Sequence, residues 1–388
     1  MWRHIASNFL TFLVLLVFLL GGVILWGQNE YQAAGPLDEQ ICLRVERGTN
    51  MRAISRKLEA EGAVTNGSIF RIGADYADKT SQLKAGSWLI PDGASMAEIT
   101  DIITRGGAST CGTEVVYRIG VTTSEVQVRE LDPATNRFVE KAEFTPGAEA
   151  EVPQTYTQVL EQADTRYRIA IAEGVTSWQI VDALQQVDVL EGGVDEVPPE
   201  GSLAPDSYEV RKGDTVASVI ENMRDAQDRI LAAAWENRAE DIPLDNPYEA
   251  LILASIIEKE TGVPTERGQV ASVFTNRLRQ GMRLQTDPTV IYGITNGEGV
   301  LGRGLRQSEL RAETPYNTYV INGLPPTPIA NPGRASIEAA VNPLDTDYIF
   351  FVAKTLDPRD GHLFAVTLDE HNENVAAYRR LEAERDNQ

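Results

Sequence analysis

Histidine and cysteine are scarce, three of one and two of the other in 388 residues. Neither Cys42 nor Cys111 has a histidine near it, so no zinc or other metal site is expected, and no cofactor. Basic residues are also short, 35 Lys and Arg against 57 Asp and Glu, for a net charge of −22. That balance argues against a nucleic-acid partner and against docking on anionic lipid. A neutral glycan is not excluded, because sugars are gripped by hydrogen bonds and stacking. Charge is missing altogether from Phe9 to Trp26. This run is just long enough to cross a bilayer as a helix. Arg3 precedes it and Glu30, Asp38 and Glu39 follow. The positive side faces the cytoplasm, so the bulk of the chain is expected outside it. No clear A-x-A site follows closely, which favours an uncleaved anchor over a signal peptide. In an exported chain the two cysteines could pair and staple one module; two free thiols stay open as the alternative.

What is present centres on residues 246–293. Asn246 and Pro247 start a helix, and Gly262 with Pro264 is expected to stop it. Ala250 to Ile257 is apolar or small on every face apart from Ser255, the pattern of a buried helix. Its last turn nevertheless carries Glu258, Lys259 and Glu260. Helical spacing sets Glu260 against Ile256 and Ile257, at the negative end of the helix dipole. Both effects raise a carboxyl pKa toward the range of a general acid. Glu258 and Glu260 lie roughly 200° apart around the axis, so they cannot both face one cleft. For Glu258 a solvated helix end is an equally good reading. A second helix, about Thr265 to Gln280, buries Val270, Val273, Phe274 and Leu278. A polar cluster follows, with Arg283, Gln285, Thr286, Asp287 and Thr289, which suits a substrate with many hydroxyls or a plain solvated loop.

The rest of the chain fills in around this. At this length two or three domains are expected. Residues 41–107 read as strand, helix, helix, strand, helix. A weak internal repeat runs through Gly48, Gly93, Gly174 and Gly213. Apolar residues fall six and ten positions after each glycine: Ile54 and Leu58, Ile99 and Ile103, Ile180 and Leu184, Val219 and Met223. This describes a strand–turn–helix unit with the glycine at the turn. Residues 112–165 carry a hairpin signal at LDPATN and then a Pro- and Glu-rich stretch. A helix is expected over 216–240, another over 334–342, and paired strands at 348–352 and 363–366. ETPYNTYVINGLPPTPIANPG reads as a stiff loop presenting Tyr316, Asn317 and Tyr319. His362 and His371 could line a cleft, although a lone histidine is more often structural.

ASIIEKET, ASVFTNRLRQGMRLQTDPTVIYG, ETPYNTY and GLPPTPIANPG, in this order and spacing, resemble the YceG-type endolytic murein transglycosylases. The likeness is close over 246–375 and traceable before it. It fits a LysM-like βα module (41–110) ahead of a mixed α/β catalytic domain (166–388). With the residue reading above, the expected α+β chain has a cytoplasmic N-terminus (1–8), a transmembrane helix (9–26), a spacer (27–40) and a β-rich insertion or linker (111–165) of which the typical family pattern has little. It implies one pass through the cell inner membrane with the catalytic domain periplasmic.

By the same resemblance Glu260 is the catalytic acid, while Glu258, Gln285, Asp287, Tyr292, Tyr316 and Asn317 are candidates for holding the glycan. The implied reaction is lytic cleavage of the MurNAc-β-1,4-GlcNAc bond of nascent strands with a 1,6-anhydro end, which would terminate glycan elongation. Peptidoglycan strands, and by analogy penicillin-binding proteins, are the implied partners. Two other readings stand beside this one. One is a muramidase, with Asp287 or Glu313 activating water. The other is a non-catalytic glycan-binding scaffold for cell-wall synthases.

Overall fold

A computed structural model describes residues 2–107, 109–148, 151–162 and 164–386. The chain opens with α1 (Trp2–Gln32), continues through β1 (Ile41–Val45), α2 (Met51–Ala60), α3 (Gly67–Tyr76), β2 (Gly86–Ile90) and α4 (Met96–Arg105), then enters three strands, β3 (Thr113–Ile119), β4 (Ser124–Asp132) and β5 (Arg137–Phe144). Next come α5 (Gln154–Leu160), β6 (Arg166–Ile171), α6 (Ser177–Gln185), β7 (Ser207–Val210) and the long α7 (Val216–Glu236). The last part holds α8 (Pro247–Glu260), α9 (Arg267–Arg279), α10 (Asp287–Thr295), α11 (Gln307–Leu310), α12 (Arg334–Val341), β8 (Phe350–Ala353), β9 (His362–Ala365) and α13 (Leu368–Asp386). Helices and strands thus mix along the chain, an α+β architecture. Strands β1 and β2 form one antiparallel pair and β8 and β9 another, while five strands form a sheet in the order β5-β4-β3-β6-β7.

The glycine repeat is structural. Each repeat glycine sits at positive φ: +81° at Gly48, +63° at Gly93, +81° at Gly174 and +95° at Gly213. A side chain at any of these turns would be strained. Two residues later comes the N-cap, Asn50, Ser95, Thr176 or Thr215, and the helix starts at once. All eight of the apolar residues named at six and ten positions are buried, none more than 3% exposed. The sequence signal is therefore a helix entry written four times. In the first of these, Asn50 does the capping and not Thr49, because Asn50 Oδ1 reaches Ala53 N at 3.0 Å.

The described residues fall into two compact units. The first comprises Met1–Val115, Gln127–Phe144 and Glu149–Arg166. Its core gathers Leu43, Val45, Ile54, Leu58, Phe70, Trp88, Ile90, Ile99 and Ile103 from β1, α2, α3, β2 and α4. The helix does not stop at Trp26: no breaker stronger than Gly27 intervenes, and it runs on to Gln32. The span long and apolar enough to cross a membrane is Leu10–Gln32. The following residues are strapped down, with Gly35 N donating to Gly93 O at 3.0 Å and Gly93 N to Leu37 O at 2.9 Å. Tyr31 lies on the Cα of Gly73 and donates to Thr100 Oγ1 at 2.9 Å. Segment 27–40, expected as a polar spacer, is thus half helix and half docked strap. Cys42 and Cys111 are joined in a disulfide.

The second unit comprises Val116–Val126, Thr145–Ala148 and Tyr167–Gln388. Its core is built on α8, flanked by α7, α9 and α12. Strands β8 and β9 pair antiparallel, with Phe351 opposite Phe364.

The disulfide closes a loop across a sequence separation of 69 residues. Loop entropy of that length corresponds to about 4 kcal/mol, and measured values run lower. Replacing both cysteines by serine is expected to destabilise the first unit by about 2–4 kcal/mol. Calorimetry checks this: a melting profile unchanged by the double substitution would show that the bond constrains nothing.

Candidate active site

Helix α8 carries the site to its position. Asn246 Oδ1 accepts from Glu249 N at 3.1 Å and Pro247 takes the first helical place. Every residue from Ala250 to Ile257 is buried. The helix ends at Glu260 because Thr261 turns extended, at φ −139° and ψ 129°. Its β-branched side chain favours that conformation, and its Oγ1 accepts from Val263 N at 3.0 Å. The stop therefore comes one residue before Gly262.

Glu260 receives a hydrogen bond on Oε1 from the hydroxyl of Thr286, the N-cap of α10. Thr286 is itself fixed from several sides. Its N donates to Thr318 Oγ1 at 3.0 Å and its carbonyl accepts from Thr289 Oγ1 at 2.8 Å. Thr289 and Thr318 share a further hydrogen bond at 2.9 Å. The three threonines are 2%, 0% and 0% exposed, so their hydroxyls have no water to turn to. Loss of water pushes the Glu260 carboxyl from an ordinary 4.5 up to about 7. The Thr286 bond opposes this, the charge of Asp287 adds to it, and the Arg277 guanidinium opposes it. Arg277 is held in place by Ile349 O at 2.7 Å and Leu284 O at 2.6 Å.

The other sequence candidates separate into three places. Asp287 opens α10, exposed, and accepts from Tyr319 OH at 2.7 Å. Gln285 precedes it, exposed, at φ +52°, with its N donating to Thr318 O at 3.1 Å. These two stand with Glu260. Tyr292 and Tyr316 form a separate pair, ring centroids 5.0 Å apart. Tyr292 OH donates to Glu200 Oε2 at 3.2 Å, and Tyr316 OH meets Thr327 Oγ1 at 2.8 Å. A side chain at Gly293 would collide with Tyr316 Cβ, which explains the glycine. Glu258 points elsewhere. Its side chain is 5% exposed, Oε2 accepts from Gly333 N at 3.0 Å and Oε1 lies 3.6 Å from Arg267. Gly333 is the N-cap of α12, where a carboxylate is favoured. This places Glu258 in the packing between α8 and α12, neither solvated nor open to a glycan. Asn317 is 0% exposed, and its amide donates to Glu309 O and Ala312 O while its oxygen accepts from Tyr319 N. It ties its own loop together and, fully buried, presents nothing to a sugar.

His362 and His371 are held by packing contacts. His362 Nδ1 lies 3.0 Å from Glu266 Oε2, and the His371 ring stacks on Phe350 at 4.9 Å. Burial lowers the pKa of His371, and the nearby Arg277 charge lowers it further.

Three features escaped the sequence reading. The bonding among the threonines had a signal, the three-residue spacing of Thr286 and Thr289 across one helical turn. Arg277 had only its presence in the long motifs. Glu200 had none: it lies in a Pro-rich loop, accepts from Ser177 N at 2.8 Å, and its pKa is raised by burial against these hydrogen bonds.

The sequence profile of the YceG-like family matches residues 43–377. This chain belongs to the YceG-like family. An endolytic murein transglycosylase of Streptococcus pneumoniae (serotype 2, strain D39) is 25% identical over 386 residues, 97% of the chain. The chain spans 66% of the length of that relative. An endolytic murein transglycosylase of Bacillus subtilis (strain 168) is 28% identical over 368 residues, 93% of the chain and 91% of the relative. A solved putative YceG-like protein of Listeria monocytogenes is 27% identical, with 86% of this chain and 98% of that one covered at a TM-score of 0.45.

The elevated pKa of Glu260 has a consequence for stability. The folded protein keeps a proton that the unfolded chain sheds near pH 4.5, so burying the anion costs nothing below that value and the full amount above about 7. Glu260→Gln removes that cost, on the order of 2–3 kcal/mol. At pH 8 the variant is expected to melt roughly 5 °C above wild type, and the gap is expected to be largely closed at pH 5. Equal melting temperatures at pH 8 would sink the assignment.

Proposed function

We propose that the chain is an endolytic murein lytic transglycosylase, acting on the MurNAc-β-1,4-GlcNAc bond of glycan strands and leaving a 1,6-anhydro-MurNAc end. The observation that carries this is the Glu260 carboxyl, withdrawn from water and poised at about 7. A proton donor to a leaving sugar oxygen must hold its proton near neutral pH and release it readily. Because Thr286 donates to Oε1, that oxygen takes the carbonyl role and Oε2 carries the proton. Oε2 gives it to the glycosidic oxygen as the C1–O bond breaks. The substrate's own acetamido carbonyl stabilises the positive charge developing at C1. The carboxylate left behind takes the proton of the muramyl 6-hydroxyl, and that oxygen bonds to C1. Glu260 returns to its starting state and no water is consumed.

The surroundings support this use. Asp287 and Tyr319 beside the acid offer acceptor oxygens to sugar hydroxyls, and Gln285 is exposed at the same edge. The Tyr292–Tyr316 pair offers an aromatic wall. The first unit supports a LysM-like reading of 41–110: two helices run between antiparallel β1 and β2. In this reading that module holds glycan, 111–165 is a β-rich insertion and 166–388 is the catalytic domain. Leu10–Gln32 anchors the chain in the inner membrane with the rest periplasmic, consistent with a disulfide at Cys42 and Cys111. There it cuts strands as they emerge and so ends their elongation, and work beside penicillin-binding proteins follows from the family resemblance alone.

The test is product analysis by mass spectrometry on uncrosslinked glycan strands. Anhydro ends are expected from wild type, with activity lowered at least ~100-fold in Glu260→Gln. The rate should fall as pH rises through about 7, since the acid must hold its proton. Thr286→Val removes the bond that stabilises the carboxylate, so the alkaline fall should move to higher pH while the rate drops about tenfold. Reducing ends would instead make the enzyme a hydrolase, with Asp287 the first suspect for activating water. Binding without cleavage would leave a scaffold.

A further inference from the structure

Lys259 lies between the two glutamates of α8 and takes no part in the chemistry above. Its Nζ donates one hydrogen bond, to Gly174 O at 3.2 Å. Among the described residues no carboxylate lies within ion-pair distance of it. A lysine ammonium has three N–H groups to place, and this one is half-buried. Burial lowers its pKa, and Glu200 and Glu258 counter this only from a distance.

The side chain borders a cavity of about 320 Å³. Pro288, Ile291 and Tyr292 of α10 line it, with Ile329 and residues of the glycine-rich segment 297–303. The other cation at this cavity is already committed: Arg303 is held by both oxygens of Glu309, at 2.5 and 2.9 Å. Lys259 is thus the cavity's cation with donors to spare, beside apolar walls that strengthen any charge pair formed there. The cavity shares α10 with the acid: Pro288 and Tyr292 line it, and Thr286 at the cap of the same helix bonds Glu260. Yet the groups that act on the Glu260 carboxyl are Thr286, Asp287 and Arg277, without Lys259.

We infer that Lys259 and the cavity beside it form a carboxylate-binding subsite, which takes the acidic substituent on C3 of the muramyl sugar. The inference rests on the transglycosylase reading for its substrate. Two carboxylates share this chemistry: those of an attached peptide stem, and the lactyl carboxylate exposed when the stem is removed. Either would pair with Lys259 by charge-assisted hydrogen bonds. The subsite would make the enzyme discriminate among strands by what hangs from the sugar, not by the sugar backbone alone.

The experiment compares wild type, Lys259→Met and Lys259→Arg in the full chain on three strand preparations. One carries peptide stems, one is stripped of them by an amidase, and one has its carboxylates converted to amides. The ratio of wild-type to Lys259→Met kcat/KM is expected to reach about tenfold on one of the two acidic strands. On amidated strands it should fall to within about twofold, and Lys259→Arg should lie nearer wild type throughout. The acidic strand with the larger ratio names the carboxylate. The alkaline fall in rate should keep its pH in Lys259→Met. An equal ratio on all three strands would overturn the inference and make Lys259 a structural residue. If wild type cleaves none of them, the transglycosylase reading fails by itself. The same comparison is then read in strand binding: discrimination by carboxylate supports the subsite, and equal binding overturns it.

Discussion

The structure of the site depends on the cost of keeping an ionised carboxyl out of water at the end of a fully buried helix. Ala250 to Ile257 are buried on all faces, so α8 has no solvent side along which Glu260 could escape. Thr261 then breaks the helix at once, before another turn could carry the carboxyl to the surface. The result is an acid with an affinity for its proton suited to neutral pH. Its two glutamates show how local environment sets chemistry. Glu258 is at least as deeply placed, but it finds Gly333 N and Arg267 and serves packing. Glu260 finds a hydroxyl, one negative neighbour and the more distant Arg277 charge, and its pKa stays raised.

That arrangement needs a rigid partner, which the threonine cluster provides. Thr286, Thr289 and Thr318 come from two segments that the fold brings together, and they bond to each other and to the Thr286 backbone. A threonine hydroxyl can rotate to suit several acceptors; here every alternative is occupied, so the Thr286 proton has one direction to point. Asn317 performs the same service for the loop behind it. Polar residues that resemble sugar ligands in the sequence are thus divided between a few that face outward and several that hold those few still.

The sequence revealed the helices well because their signals are local. The cap at Asn246, the apolar run after it and the four glycine-marked helix entries depend on neighbours within about ten residues, and each formed where expected. The raised pKa of Glu260 was legible for the same reason: Ile256, Ile257 and the helix end all lie within one turn. What stayed hidden was long-range. Nothing near Glu258 in sequence reveals Gly333, and nothing near Tyr292 reveals Glu200. Asn317 looked like a sugar ligand because burial is a property of the fold, not of the motif. The short α10 was hidden in a stretch whose Asp287-Pro288 reads equally as a turn or as a helix start.

The docked end of α1 has a mechanical meaning. Here Tyr31 seats on Gly73, and Gly35 and Leu37 bond to Gly93, so the helix and the first unit meet without slack. A helix joined in this way behaves as a bracket and not as a leash. It leaves the elements that follow no slack to turn about the end of α1.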